Sequence, residues 1–291
     1  MLNFYQNLPE IINPIAFSVG FFSIRWYSLM YLVGFLIAIS LLKWRVSKKE
    51  TELKWNDILD FLIYSFFGIL IGGRLGYVIF YNPIYFAKHP LEIISPINLN
   101  GELVGFFGMS YFGAVIGVFL IAYLFTKKRK VDFWKLLDFV LPTVTAGYFF
   151  GRIGNFLNGE LYGRVTDKWW GMFFANEEFL RHPSQLYEAF LEGFVLFIIL
   201  WMLRNKFRDK KGIITGIYLA GYGIARFGVE FFREPDECLG FIWNFLTLGQ
   251  IFAILIMIIG TSLLIILYRN YWKSAIDPTP SIRTKLKNIL Q

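Results

Sequence analysis

The sequence predicts an all-α polytopic membrane protein with seven transmembrane helices, its N-terminus outside and its C-terminus in the cytoplasm. Three observations carry that expectation. The 291-residue chain is 56% hydrophobic and 20% aromatic, with only 17% charged residues, where soluble domains carry about 25%. Apolar runs of helix-spanning length recur along it. Lys and Arg alternate between connections: 20 fall on one set, 6 on the other and three inside the runs.

The spans follow in order. The first is about Trp26–Leu42 and carries no charge. The second, about Phe61–Phe80, is interrupted by Arg74. The third, about Leu103–Thr126, is uncharged, with small residues through Gly105–Gly117 that favour close helix packing. The fourth, about Leu136–Leu157, has Asp138 near its start and Arg152 near its end. The fifth, about Leu186–Leu203, holds Glu188 and Glu192 in its first half. The sixth, about Gly212–Phe232, has Arg226 and Glu230 in its last third. The seventh lies within Phe241–Tyr268, a run without charge. Residues 1–24 contain no Lys or Arg, so the basic start of a cleavable signal is missing and the first run is expected to stay as a membrane helix. Residues 1–291 then form a single integral membrane domain.

The basic connections are those between spans 1 and 2, 3 and 4, and 5 and 6, together with the C-terminal tail. Placing them in the cytoplasm satisfies the positive-inside rule. The net charge of +8 thus reports topology and contact with anionic membrane lipid, not nucleic acid. One cysteine, Cys238, excludes a disulfide framework and a cysteine-built zinc site, and two histidines, His89 and His182, make a histidine-rich metal site unexpected. No metal or other cofactor is expected.

This orientation gathers the unusual polar residues towards the outer leaflet. Arg74, Arg152 and Arg226 all lie near the outer ends of outward-running spans. Each sits in Arg-x-Gly, with Gly76, Gly154 and Gly228 expected to permit close packing beside the arginine. An ionisable side chain at membrane depth costs about 2.5–3.5 kcal/mol on insertion scales, so it needs a compensating role. Guanidinium is the preferred partner of phosphate, because its fork makes bidentate charge-assisted bonds. Three convergent arginines therefore point to a cage for an anion.

The richest stretch is Gly151-Arg-Ile-Gly-Asn-Phe-Leu-Asn-Gly-Glu-Leu-Tyr-Gly-Arg164. Its four glycines weaken a helix and let a ligand or backbone come close. The following segment, 158–185, contains Trp169 and Trp170 and reads as a small outer cap. Arg181-His-Pro-Ser-Gln-Leu-Tyr-Glu188 reads as a helix start, with proline in the first turn and Ser184 able to cap. His182 there is either a proton carrier or a structural hydrogen-bonding group. Arg226, Glu230 and Arg233 share a helical face, as an internal ion pair or a functional one. Ser110 and Tyr111 can supply hydroxyls at the outer end of span 3. Two function classes remain at this point: an enzyme acting on an anionic phospholipid, or a membrane transporter for an anionic solute. The odd number of spans fits two equal inverted halves poorly, which favours the enzyme.

Six stretches in order resemble bacterial prolipoprotein diacylglyceryl transferases: Arg25–Gly34, Gly72–Tyr77, Gly108–Gly113, Gly151–Arg164, Arg181–Glu188 and Arg226–Asp236. They extend over nearly the whole chain, and 151–164 is the most specific. The resemblance implies transfer of the diacylglyceryl group of phosphatidylglycerol to the lipobox cysteine thiol of a preprolipoprotein, forming a thioether and releasing glycerol phosphate. It implies no metal, and a place in the bacterial cytoplasmic (inner) membrane with the active site towards the outer leaflet. By the same resemblance Arg152 binds phosphatidylglycerol, Arg226 is a second essential arginine, and Tyr27, Asn155, Glu160, Gly163 and Glu230 are functional. Asn155 can donate to a phosphate or glycerol oxygen. Glu160 and Glu230 either orient arginines or act as bases, and Gly163 would permit a tight turn. Arg74, Tyr111 and His182 complete the expected substrate-binding set.

The chain departs from the family pattern in three places. Many members carry a histidine in span 3 where this chain has Phe112, which cannot accept a proton. Arg25 replaces a histidine seen just before Trp-Tyr in some members, and the 158–185 segment is shorter than in some relatives.

Overall fold

The structure is a computed structural model that describes residues 2–20, 22–94, 108–175, 177–234, 241–242 and 246–276. Cys238 and the start of the third expected span lie outside them. Helices dominate. Seven long ones occupy the seven expected places among the described residues: α1 (Trp26–Ser47), α2 (Trp55–Phe80), α3 (Tyr111–Arg129), α4 (Phe133–Leu157), α5 (Ser184–Leu203), α6 (Ile213–Glu230) and α7 (Leu248–Ile276). Four are long and apolar enough to cross a membrane: α1, α2, α5 and α7, the last over Leu248–Tyr271. The others are more polar, for stated reasons: α4 carries Asp138 and Arg152, α6 carries Arg226 and Glu230, and α3 ends in Lys127-Lys128-Arg129.

The described residues before α1 form two short helices, Leu2–Gln6 and Leu8–Ile11, and a hairpin of β1 (Ile15–Val19) with β2 (Phe22–Arg25). A second hairpin, of β3 (Phe241–Ile242) with β4 (Leu246–Thr247), leads into α7.

The chain divides into two compact units, Arg45–Leu137 and the pair of segments Met1–Trp44 and Asp138–Gln291. In the first unit, α2 and α3 meet along a glycine seam. A Cβ on Gly117 would lie 2.1 Å from the Gly68 carbonyl oxygen, and one on Gly72 would lie 2.4 Å from that of Gly113. Backbone thus rests on backbone, as small residues allow in apolar surroundings. Ser110 starts α3, its hydroxyl accepting from Gly113 N at 3.2 Å. Arg129 at the far end pairs with Asp57 and Asp60.

In the second unit, α1 and α4 cross closely, with Gly34 against the Gly147 carbonyl. Asp138 reaches from α4 to the start of α6. Its carboxylate accepts from Gly212 N at 2.6 Å, Thr215 N at 2.7 Å and Thr215 Oγ1 at 2.6 Å. It supplies the cap that α6 lacks in its own sequence, and its charge suits the positive helix end. The chain of α5 widens into a π-helical stretch over Ala189–Val195, a distortion common near functional sites. Residues 158–185 fold as a small unit of strand-like pairings, Gly163 with Arg233 and Arg181 with both Val165 and Met172. Phe156, Met172 and Phe174 form its core, with Tyr5, Leu157, Tyr162 and Leu186 around them.

The expected glycine role beside the three arginines holds for two. Gly76 meets Gly113, and Gly154 meets Met30 and Tyr27, but nothing lies within 4 Å of a Cβ on Gly228. Two substitutions separate these cases. Gly117→Ala is expected to lower stability by about 1–3 kcal/mol, the usual overpacking cost. Gly228→Ala is expected to raise it by about 0.5–1 kcal/mol, since a helical glycine is entropically costly. Thermal unfolding of the purified protein in detergent measures both.

Candidate active site

The site is built at the end of α4, where polar residues follow one another at helical spacing. Tyr148 lies one turn before Arg152, and Asn155 nearly one turn after it. Arg152 Nε donates to Tyr148 Oη at 2.8 Å, and the guanidinium lies 4.9 Å from the tyrosine ring centre. Arg152 Nη1 donates to Asn155 Oδ1 at 3.3 Å. Past the helix end, Gly159 and Leu161 adopt positive φ, 69° and 59°, and turn the chain. Glu160 between them accepts from Asn155 Nδ2 at 2.8 Å and Asn158 Nδ2 at 2.9 Å. Gln185 Nε2 fixes the turn by donating to the Glu160 carbonyl at 2.6 Å.

Helix α5 brings two carboxylates to these groups, and α6 brings the second arginine. Glu188 lies between the arginines. Its Oε2 is 2.9 Å from Arg152 Nε, and its Oε1 accepts from Arg226 Nη1 at 2.7 Å. Arg233 Nη1 stands 3.8 Å from the same Oε1. Glu192 accepts from Tyr148 Oη at 2.5 Å and lies 3.9 Å from Arg226. Glu230 pairs with Arg226 Nη2 at 2.9 Å and accepts from Thr247 Oγ1 at 3.0 Å. The three glutamate side chains are at most 6% exposed and the three arginines 13–18%. Three guanidinium groups therefore face three carboxylates, and the formal charges cancel. Buried charges persist only when paired in this way. The pairing is incomplete in geometry: among the described residues no hydrogen bond is directed at Glu188 Oε2, Glu192 Oε1 or Glu230 Oε2.

The residues expected from the sequence fall into different surroundings. Arg152, Asn155, Glu160, Arg226 and Glu230 join one network. Asn155 is held by Arg152 and Glu160, and Glu160 holds two asparagines and not an arginine. Tyr27 lies in the first turn of α1, its ring 4.6 Å from that of Tyr31 and its backbone against Gly154. Gly163 is required for a reason other than the expected turn. A Cβ there would lie 2.2 Å from the Phe232 carbonyl, while its own N–H donates to the His182 carbonyl at 2.8 Å. It permits close approach, and Gly159 and Leu161 make the turn.

His182 is nearly buried, with Nδ1 3.1 Å from Tyr187 Oη and its ring edge-on to Phe232. Burial pulls its pKa below the ordinary histidine value, so the ring is neutral at pH 7. Ser184 is the first residue of α5 and not its cap, and its hydroxyl donates to the Leu161 carbonyl at 3.1 Å. Arg74 belongs to the other unit, where its guanidinium donates to the Glu92 and Ile93 carbonyls at 2.6 and 3.0 Å and covers the Phe86 ring. Phe112 stands in the first turn of α3 in that unit. Tyr111 opens α3, and its side chain lies outside the described residues.

Sequence reasoning missed Glu188, Glu192 and Tyr148 as site residues. The signal was present for the two glutamates: carboxylates four residues apart in an apolar run need cations from elsewhere. Tyr148 gave none, since aromatic residues fill these helices.

A cluster of guanidinium groups held by asparagine and buried carboxylate suits an anionic headgroup, and relatives of this chain carry names of that kind. Residues 14–266 match the family model for prolipoprotein diacylglyceryl transferase. The chain is 46% identical over 266 residues to the phosphatidylglycerol–prolipoprotein diacylglyceryl transferase of Chlorobaculum tepidum, covering 90% of this chain and 92% of that protein. It is 43% identical over 256 residues to the protein of the same name from Rickettsia felis, covering 87% and 96%. It is 42% identical over 266 residues to that of Campylobacter jejuni, covering 91% and 96%. The match runs through every helix that builds the site, and the chain belongs to the prolipoprotein diacylglyceryl transferase family.

Proposed function

We propose that this protein transfers the diacylglyceryl group of phosphatidylglycerol to the lipobox cysteine thiol of preprolipoproteins, the first step of lipoprotein maturation. A sulfur–carbon bond forms at the glyceryl carbon as that carbon's bond to the phosphate oxygen breaks. Glycerol phosphate leaves, and the thiol proton is lost. The observation that carries this reading is the meeting of Arg152 and Arg226 around one carboxylate, in a chain that belongs to this family. Arginines fixed before the reaction stabilise charge that grows on the departing phosphate without moving to do so. Arg152 donates from Nε to Tyr148 and through one N–H of Nη1 to Asn155, and the remaining N–H groups of Nη1 and Nη2 form the fork that would bind the phosphate. Asn155 and Glu160 keep Arg152 aimed, Glu230 does so for Arg226, and Tyr27 and Gly163 shape the walls. With Phe112 unable to take a proton, the thiol gives its proton to solvent, and the guanidinium groups nearest the sulfur favour the thiolate locally although the cluster as a whole is formally neutral: a thiol pKa of roughly 8.5 falls beside cations. The anion-transporter reading has no support from the family.

The same proposal includes the membrane arrangement. The alternation of Lys and Arg supports seven spans in a bacterial cytoplasmic membrane, with a single membrane domain, N-terminus out and C-terminus in. The arginine site then faces the outer leaflet, with 158–185 as a small outer cap and the surrounding lipids as solvent and substrate source.

Purified protein mixed with phosphatidylglycerol vesicles and a lipobox peptide should add one diacylglyceryl mass to the peptide; no adduct would sink the reading. Arg152→Lys should lower kcat/KM by about 10²–10³-fold, the usual cost of one preorganised donor, because a point charge does not replace a fork. Equal rates for the two proteins would refute the bidentate role. Topology is checked separately. A reporter on the C-terminus should be shielded in intact cells and one on the N-terminus exposed, and the reverse pattern would overturn the orientation.

A further inference from the structure

Glu188 has no part in the reaction as proposed above, yet it makes more charge contacts than any other carboxylate of the site. Glu192 is engaged by Tyr148, and Glu230 is engaged by an arginine of its own helix and by Thr247. Among the contacts of the described residues, Glu188 is the carboxylate that joins arginines of different elements. Arg152 comes from α4, Arg226 from α6 and Arg233 from just beyond α6, at 2.9, 2.7 and 3.8 Å. It sits on α5 directly before the π-helical stretch. Arg152 lies beside Oε2, while Arg226 and, farther off, Arg233 lie beside Oε1, so the O–C–O fork stands between guanidinium groups as the O–P–O of a phosphodiester would.

We infer that Glu188 is a positioning residue of the transfer reaction: it holds Arg152 and Arg226 at the separation a phosphate bridges. This rests on the transferase reading. The three like charges repel, and without an anion between them they would spread or take up other partners. With lipid bound, the same carboxylate keeps the guanidinium groups aimed while the phosphate takes the remaining donors. It also limits how tightly the headgroup is bound, because it offsets one positive charge.

That double role gives an unusual kinetic signature. Glu188→Gln removes the negative charge and keeps the shape. The cluster becomes more positive, so the KM for phosphatidylglycerol should stay the same or fall. The aim of the arginines is lost, so kcat should fall at least tenfold. Glu188→Asp keeps the charge but withdraws it by one methylene, and kcat should fall less than for Gln, with KM held. A double-mutant cycle of Glu188→Gln with Arg226→Lys should be far from additive, since both act through one contact. The assay uses the full chain, phosphatidylglycerol vesicles and a lipobox peptide, with folded fraction measured by thermal unfolding in detergent. Wild-type kcat in folded Glu188→Gln overturns the inference, as does a loss of kcat fully matched by loss of folded protein. If the Gln variant does not accumulate, the Asp variant decides: wild-type kinetics there overturn the claim. An inactive wild-type protein would instead count against the transferase reading itself.

Discussion

Everything at the site depends on one electrostatic constraint: guanidinium groups withdrawn from water must find negative charge within the protein. Arg152, Arg226 and Arg233 find it on Glu188, Glu192 and Glu230. Breaking such a set by removing one partner is strongly destabilising, whereas replacing the whole set by apolar residues is often neutral. Its presence here is therefore weak evidence for stability and good evidence for use. The helices that carry the charges are fixed from elsewhere. Asp138 caps α6 at the end opposite Arg226, and glycine contact brings α1 against α4.

Much of this was legible in the sequence, because physics restricts where charge may sit in an apolar chain. All seven runs contain long helices among the described residues, and the arginines of the fourth and sixth share one network. Their family resemblance holds across residues 14–266. What was not legible depends on register between elements. Glu188 is visible as a misplaced charge, but its placement between arginines of α4 and α6 depends on how three helices meet, and no periodicity announces that. Tyr148 is one aromatic among many until its hydroxyl meets Arg152 and Glu192.

Arg74 carries the same Arg-x-Gly pattern as the other two triplets, and within its own unit its guanidinium donates to the Glu92 and Ile93 carbonyls and covers the Phe86 ring. Gly163 was expected to permit a tight turn, but the structure uses its missing Cβ for close approach. Glycine suits both a left-handed turn and a tight approach, and only the neighbours tell them apart. Here the neighbours are the carbonyl of Phe232 and the backbone of His182.

The pairing of the first residues with the 158–185 segment constrains the order of folding. Tyr5 Oη donates to the carbonyl of Trp170, 165 residues away, and Phe173 N donates to that of Gln6. Synthesis runs at about 5–20 residues per second, so the chain's beginning waits roughly 8–30 s for its partner to exist. During that interval Tyr5 and Gln6 are without these two contacts. These contacts therefore join the two ends of a long stretch of chain, and they can form only after α4 has been made.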